Sequence, residues 1–540
     1  MGVEMNVVNK VRTGEGKSLA KKIFFFREGS LESISHQRFD VAAEGLAERM
    51  HHAGLSRGNK IGILARNGLE WLLVDVAALK LGLVTAGFEF ARFKDPAALI
   101  ERYGLLGIYS ERGSSGLTGV DIGRLVQELN LFSNRNRSGA AVDPPQDTAR
   151  MTKGSGMREW SGYERDDVTT IKFTSGSTGE PKGLGATAGS IDSSIRAVQT
   201  ILSHGVDDNL LVFLPLSLLQ QRYWVYSALV YGHDVTVVPM EFALAAAAAV
   251  EPTVIMGVPA FYEGLRKKID GVGLEGSDVQ RRRACAESLL GTRIRYLWTG
   301  SAPAAPETLR SFDAIGMPLY EGYGMNETCI VSKNFPGAHR RGSVGKVLPN
   351  KRIRFDQNGV LIVGSEYPVN TSYTYCRDGD SERVFLPGGE VYTGDIGYQD
   401  DDGYLYIQGR ADDILVLTSG RNVATRHIEE AIKGHKEVEE CVLIGSGRPY
   451  VTAVLSHIPI GFSDTQESMQ YRKESEERIS AYIEALNSAL PGEERVLRFF
   501  IAPVPFSVEG GTLTSQFKPK KREIAQLYSR EIEKMYGVCA

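Results

Sequence analysis

The segment "TSGSTGEPKG", residues 174–183, decides how this chain is read. Seven of its ten residues are Gly, Ser or Thr, and it closes on Pro181-Lys182-Gly183. It offers no large apolar side chain to a core, and its glycines make the backbone costly to order. Small residues do let main-chain N–H groups converge on an anion, while hydroxyls add donors and Lys182 adds a full charge. The preceding "VTTIKF" has the composition of a strand. That places the segment at a strand end, where α/β folds bind ligands. The stretch therefore reads as a phosphate cradle. It is not a Walker A loop, because Lys182 follows Pro181 and precedes Gly183, so the Gly-Lys-Ser/Thr ending is missing. An isolated Gly/Ser stretch could equally be a flexible linker, against which the embedded Pro-Lys-Gly counts.

Outward from this segment the chain alternates strand-like and helix-like runs. "KIGILA" (60–65) is β-rich, the following "LEWLLVDVAALKLG" has helical apolar spacing, and Gly82 is a helix stop. The pattern recurs as "NLLVFLPL", "QQRYWVYSALVYG", "DVTVVPM", an Ala-rich helix at 243–250 and "TVIMGVP". Such alternation predicts parallel sheets covered by helices on both faces. Residues 133–165, rich in Ser, Asn, Arg, Gly and Pro, read as a long surface loop. After Arg410 the pattern restarts as a compact αβ unit, with a helix from Thr425 and a charged one from about Gln466 to Leu490.

Composition excludes several classes. At 540 residues, with 42% hydrophobic and 24% charged content, the chain is globular and of enzyme size. A net charge of −4 gives no electrostatic reason to bind nucleic acid or an anionic membrane. Five scattered cysteines with no CxxC pair suit free thiols in a reducing cytoplasm. The start "MGVEMNVVNK" has no apolar leader, and Asn6 stands where myristoylation wants Ser or Thr. The best membrane candidate, "WLLVDVAALKLGLV", is broken by Asp75 and Lys80, so a buried helix is expected and no stable membrane insertion.

Phe173 to Gly183 fits every position of the phosphate-loop motif of the adenylate-forming superfamily, which comprises acyl-CoA synthetases, luciferases and adenylation domains. Further elements follow in order. "YEGYGMNET" (320–328) resembles the Y-G-x-T-E element, "YTGDIG" (392–397) the T-G-D element, and "GRADDILVLTSGRNV" (409–423) the hinge motif. "GGTLTSQFKPKKREI" (510–524) is similar to the C-terminal lysine motif of the long-chain branch, which "LPLSLLQQR" and "VIMGVPAFYEGL" also resemble. The resemblance runs from about Gly58 to Arg522. It implies an α/β fold with a large N-terminal domain (1–410) of parallel-rich sheets flanked by helices. A small mobile α+β domain (411–540) would follow, hinged near Asp412.

The implied activity joins a carboxylate to the α-phosphate of ATP and then passes the acyl group to coenzyme A. Thr174, Ser175, Gly176, Ser177, Thr178, Gly179 and Lys182 would hold the phosphates. Glu327, with Thr178, would ligate Mg²⁺. Tyr323 would stack on adenine, flanked by Gly324 and Met325, with Gly300, Ser301 and Ala302 along its edge. Asp395 would bind the ribose hydroxyls, Arg410 the same sugar or a phosphate, and Asn326 the α-phosphate. Lys518 would bridge carboxylate and α-phosphate in the transition state.

Departures from the motifs bear on the substrate. Asn326 replaces a Thr, Leu218 and Ala188 each replace a His, and Gly87-Phe88-Glu89-Phe90 replaces a proline-rich segment. The helix expected to line the acid pocket has no Asp or Glu, so it does not suit an amino acid. Leu218, Arg222, Tyr223 and Trp224, with Leu219 and Tyr226, are expected around a hydrophobic acid, and a bulky polycyclic acid of a natural-product pathway would suit them. The thiol acceptor would be coenzyme A or a separate carrier or partner protein, and a homodimer is compatible with the chain. Two rivals stand: an adenylating enzyme whose acyl-AMP a partner thioesterifies, and an inactive nucleotide-binding scaffold.

Overall fold

The computed structural model describes residues 5–15, 20–113, 119–129, 131, 162–173, 181–271, 279–411, 414–457, 466–514 and 517–537. The loop expected over 133–165 lies almost wholly outside them. Among the described residues, the apolar runs form two large sheets. One has six strands in the order 120–121, 107–110, 60–64, 84–88, 168–173, 183–187. All are parallel except 183–187, which runs antiparallel to 168–173. The other has nine, with 319–325, 296–299, 254–257, 209–212 and 234–237 parallel at its centre.

The helix read from "LEWLLVDVAALKLG" is Leu69–Leu81, and it is buried on every side. It ends at Gly82, whose φ of 75° favours a residue without Cβ and whose N–H bonds the Ala78 carbonyl. Its two charges are paired rather than exposed. Lys80 reaches Asp40 and Glu44 at 2.8 Å each, and Asp75 meets Arg222. Helices His36–His52, Leu69–Leu81, Ala188–Leu202 and Leu219–Tyr231 share one apolar cluster with strands of both sheets. Asn67 locks the two layers together: its amide N–H donates to Leu214 O (2.8 Å) and Val238 O (3.2 Å), and its Oδ1 accepts from Leu216 N.

A five-stranded antiparallel sheet (351–355, 360–365, 385–386, 390–399, 405–410) follows and holds Asp395 opposite Arg410. The C-terminal unit is α+β and smaller. Strands Val438–Ile444, Val451–His457 and Val496–Ile501 form a three-stranded sheet. Helices Arg426–Lys433, Gln466–Ala489, Lys521–Leu527 and Ser529–Met535 accompany it. Its apolar clusters contain no residue before Leu415. No described helix is long and apolar enough to cross a membrane.

Candidate active site

Strand Val168–Phe173 and strand Leu319–Met325 belong to different sheets, and their carboxyl ends meet. Lys172 reaches across to donate its ammonium to the main-chain carbonyl of Asn326. From the other side Lys351 donates to Thr328 O (2.7 Å) and Ser365 Oγ (2.8 Å). Two buried lysines therefore grip the turn on either side of Glu327. Burial pushes both ammonium groups down, Lys351 to about 8, against the opposing influence of Cys329. The turn is tight: a Cβ on Gly324 would lie 2.1 Å from the Cys329 carbonyl oxygen, so only glycine fits.

Glu327 is buried, and its Oε1 accepts from the Tyr373 phenol at 2.6 Å. The Tyr373 ring in turn holds the Lys182 ammonium 5.3 Å from its centroid, and Lys182 pairs with Asp380 at 3.1 Å. A cation from the end of the Gly/Ser segment thus stands beside the carboxylate expected to hold Mg²⁺. Among the described residues no group of three or more His, Cys, Asp or Glu could hold a metal. A Mg²⁺ that takes most of its oxygens from phosphates and water needs only one or two protein carboxylates, so Glu327 fits it.

The second half of the site forms around Asp395. Tyr323 donates its phenol to Asp395 Oδ2, and Arg410 stands 3.6 Å from Oδ1. Burial raises the Asp395 carboxyl, opposed by the Tyr323 hydrogen bond and the charges of Arg410, Arg426 and Lys518. Lys518 itself is pushed down by burial, with Asp395 opposing and Arg410 and Arg426 adding to the shift. Gly300 follows strand Tyr296–Thr299 and faces the Gly322 carbonyl. Ser301 has a φ of 70°, a left-handed turn that non-glycine residues adopt uncommonly. Ala302 and Met325 are both partly exposed along the same edge.

The residues expected at the acid have a different setting. Arg222 is fully buried and donates to Asp75 (3.2 Å), Thr85 (3.3 Å) and Thr170 (2.8 Å). Tyr226 donates to the same Asp75 at 2.6 Å. These two belong to an ion-pair network joining helix 219–231 to helix 69–81 and the six-stranded sheet. Tyr223 is buried and takes a hydrogen bond from Cys329 Sγ at 3.2 Å. Trp224 packs edge-on against Trp298 with centroids 5.4 Å apart. Leu218, half-buried, begins the helix without a side-chain cap. Gly87, in the segment that departs from the motif, lets the backbone of Ser217 approach, since a Cβ there would meet Ser217 Cα at 3.1 Å.

Beside Trp224 lies an unanticipated buried amine. Lys333 is fully buried, 3.5 Å above the Trp298 ring centroid, 5.2 Å from that of Tyr296 and 5.8 Å from that of Trp224. Burial drives its ammonium well below the usual lysine range. A desolvated cation–π contact contributes about 2 kcal/mol. Burying an ion costs several kcal/mol, so the rings alone leave Lys333 undercompensated.

Residues 126–363 match the AMP-binding enzyme family, and residues 412–539 match the AMP-binding enzyme C-terminal domain. The chain belongs to the AMP-binding enzymes. It is 24% identical to the long-chain-fatty-acid–CoA ligase FadD15 of Mycobacterium tuberculosis over 99% of each chain. It is 25% identical to the 2-succinylbenzoate–CoA ligase of Bacillus anthracis over 77% of this chain and 80% of that one. The fold matches that of O-succinylbenzoate coenzyme A synthetase (MenE) from Bacillus subtilis in complex with AMP. The TM-score is 0.72 at 18% identity, covering 96% of this chain and 98% of that one.

In this AMP-binding enzyme, Lys182 and Glu327 meet through Tyr373, and Tyr323 and Arg410 flank Asp395, whose charge acts on Lys518. Thr174, Ser175, Gly176, Ser177, Thr178, Gly179 and the hinge residue Asp412 lie outside the described residues. Sequence reasoning missed Lys172, Lys351, Lys333, Tyr373 and Asp380. A lysine in an otherwise apolar or small-residue strand was the available signal for Lys172 and Lys333. Nothing in the sequence pointed to Tyr373 or Asp380.

Proposed function

We propose that this enzyme activates a hydrophobic carboxylic acid with ATP and then transfers the acyl group to coenzyme A. The observation that carries this reading is the buried Glu327 held by Tyr373 beside Lys182, with Tyr323 and Arg410 gathered on Asp395. A carboxylate and a triphosphate repel each other, so the first requirement is preorganised positive charge. Lys182 would face the outer phosphates, and Lys518 would hold the attacking carboxylate oxygen against the α-phosphorus. The bond from that oxygen to phosphorus forms as the α–β bridging bond breaks, and pyrophosphate leaves. Mg²⁺ held at Glu327 would neutralise charge on the leaving phosphates. Tyr323, Asp395 and Arg410 would fix the nucleoside, so that little motion remains to be ordered in the transition state.

In the second half-reaction the coenzyme A thiolate would attack the acyl carbon and AMP would leave. The C-terminal unit (411–540) would turn about Asp412 between the halves to expose the acyl-adenylate. Leu218 favours one rival. It has neither a proton nor a hydrogen bond to offer, so an enzyme that stops at acyl-AMP and leaves the thioester to a partner protein stays in view. Pyrophosphate release across an acid panel, with and without coenzyme A, tests both. Acyl-CoA formation supports the proposal, acyl-AMP alone favours the rival, and no release with any acid refutes both in favour of a nucleotide-binding scaffold.

A further inference from the structure

Three buried donors in one cluster have no hydrogen-bond acceptor among the described residues: Lys333 Nζ, Trp224 Nε1 and Trp298 Nε1. Buried polar groups are nearly always partnered, so three at one place indicate an acceptor that the described residues do not supply. The cluster continues the site already described. Cys329, two residues after Glu327, bonds Tyr223, and Trp224 is the next residue on that helix. Strand Cys329–Lys333 then leads from the site to Lys333, a span of roughly 13 Å at strand rise.

We propose that Lys333 and the two indole N–H groups bind a second negatively charged group of the acid, remote from the carboxylate that is adenylated. The inference rests on the acid-activating reading and deepens it, making the substrate an apolar acid with a charged far end. A monocarboxylate would leave all three donors unsatisfied. An anion compensates them together, and charge-assisted contacts of this kind are the stronger ones. The lysine stem is flexible enough to lift its ammonium off the Trp298 face toward such a group.

Among the described residues, the groups around Lys333 supply no counter-charge of their own. Tyr296 accepts from or donates to His204 Nε2 at 2.5 Å, and His204 is held neutral, its pKa pushed down to about 3 by burial and by His233 and Lys333. Further out, Asp208 is already paired with Arg295 at 2.5 Å. With its ammonium disfavoured in the apolar cage, Lys333 takes up a proton as the anion arrives.

The test compares a long α,ω-dicarboxylate with the monocarboxylate of equal chain length in ATP–pyrophosphate exchange. The wild-type enzyme should prefer the dicarboxylate by about tenfold or more in kcat/KM. Lys333→Met should abolish that preference and Lys333→Arg should retain part of it. A wild-type preference for the monocarboxylate, or a dicarboxylate preference that survives Lys333→Met, overturns the proposal. Should Lys333→Met not fold, calorimetry of dicarboxylate binding to the wild-type enzyme in two buffers of different ionisation enthalpy decides. Proton uptake supports the site, and its absence, or no binding, overturns it. Binding with proton uptake but no exchange would refute the acid-activating reading and leave the anion site standing.

Discussion

Tyr373 holds Glu327 from one side: its phenol donates to Glu327 Oε1 at 2.6 Å, while its ring faces the Lys182 ammonium. The pair couples the carboxylate expected at Mg²⁺ to the cation expected at the phosphates. Tyr373→Phe keeps the ring and removes only the hydrogen bond. Leaving a buried charged acceptor without its donor costs roughly 1–3 kcal/mol. The expected outcome is a rise of about tenfold in the Mg²⁺ needed for half-maximal pyrophosphate exchange, with the fold intact by circular dichroism. An unchanged Mg²⁺ profile would detach Tyr373 from the metal site.

Lys518 is separated from its neighbours in the basic run by geometry. Lys521, three residues on, is tied to Glu429 and Thr425 at 3.1 Å each inside the C-terminal unit. Of the two, Lys518 is the one whose ammonium feels the charges of Asp395 and Arg410. Lys518→Ala should slow acyl-adenylate formation by about 10²–10³-fold, the usual effect of losing one preorganised donor at a reacting centre. ATP affinity, measured by equilibrium titration, should change little. Unchanged exchange would remove Lys518 from the mechanism.

How much of this was legible in the sequence depends on what kind of atom does the work. The parallel strands follow from apolar runs bounded by glycine and proline, and the charged site follows from ordered motifs. Lys172 and Lys351 escaped because their acceptors are main-chain carbonyls of Asn326 and Thr328, which no residue type announces. The ion pair of Arg222 escaped for a different reason. Helix 219–231 is buried over most of its surface, so apolar spacing cannot tell a pocket-facing side from a core-facing one. Asp75, its partner, lies 147 positions earlier in the chain.

Glu321 should make stability depend on pH near neutrality. Burial raises its carboxyl from 4.5 to about 7, against the Ala304 N–H at 3.3 Å and the charge of Arg426. Between those values the folded state binds the proton and the unfolded state releases it. The contribution is therefore complete below about 4.5 and is lost as pH rises through about 7. The wild-type protein should lose roughly 1–3 kcal/mol relative to Glu321→Gln across that window, by urea unfolding at successive pH values. A parallel pH dependence in the two proteins would contradict it.

Arg222 and Asp75 form a buried ion pair at 3.2 Å, with exposures of 0% and 1%. Thr170 and Thr85 accept from Arg222 Nη1, and Tyr226 donates to Asp75. Removing one partner leaves the other as an uncompensated charge in the core, which typically costs about 3–5 kcal/mol. Arg222→Met should therefore destabilise the fold by that order. Arg222→Met combined with Asp75→Asn should recover most of the loss, because the amide that replaces the carboxylate would still accept from Tyr226 and carry no charge. Thermal unfolding of the single and double variants measures the coupling directly. In the folded fraction, the KM for the acid should stay close to wild type. The opposite pattern, unchanged stability with a much higher KM, would return Arg222 to the acid pocket, where its place on the helix first suggested it.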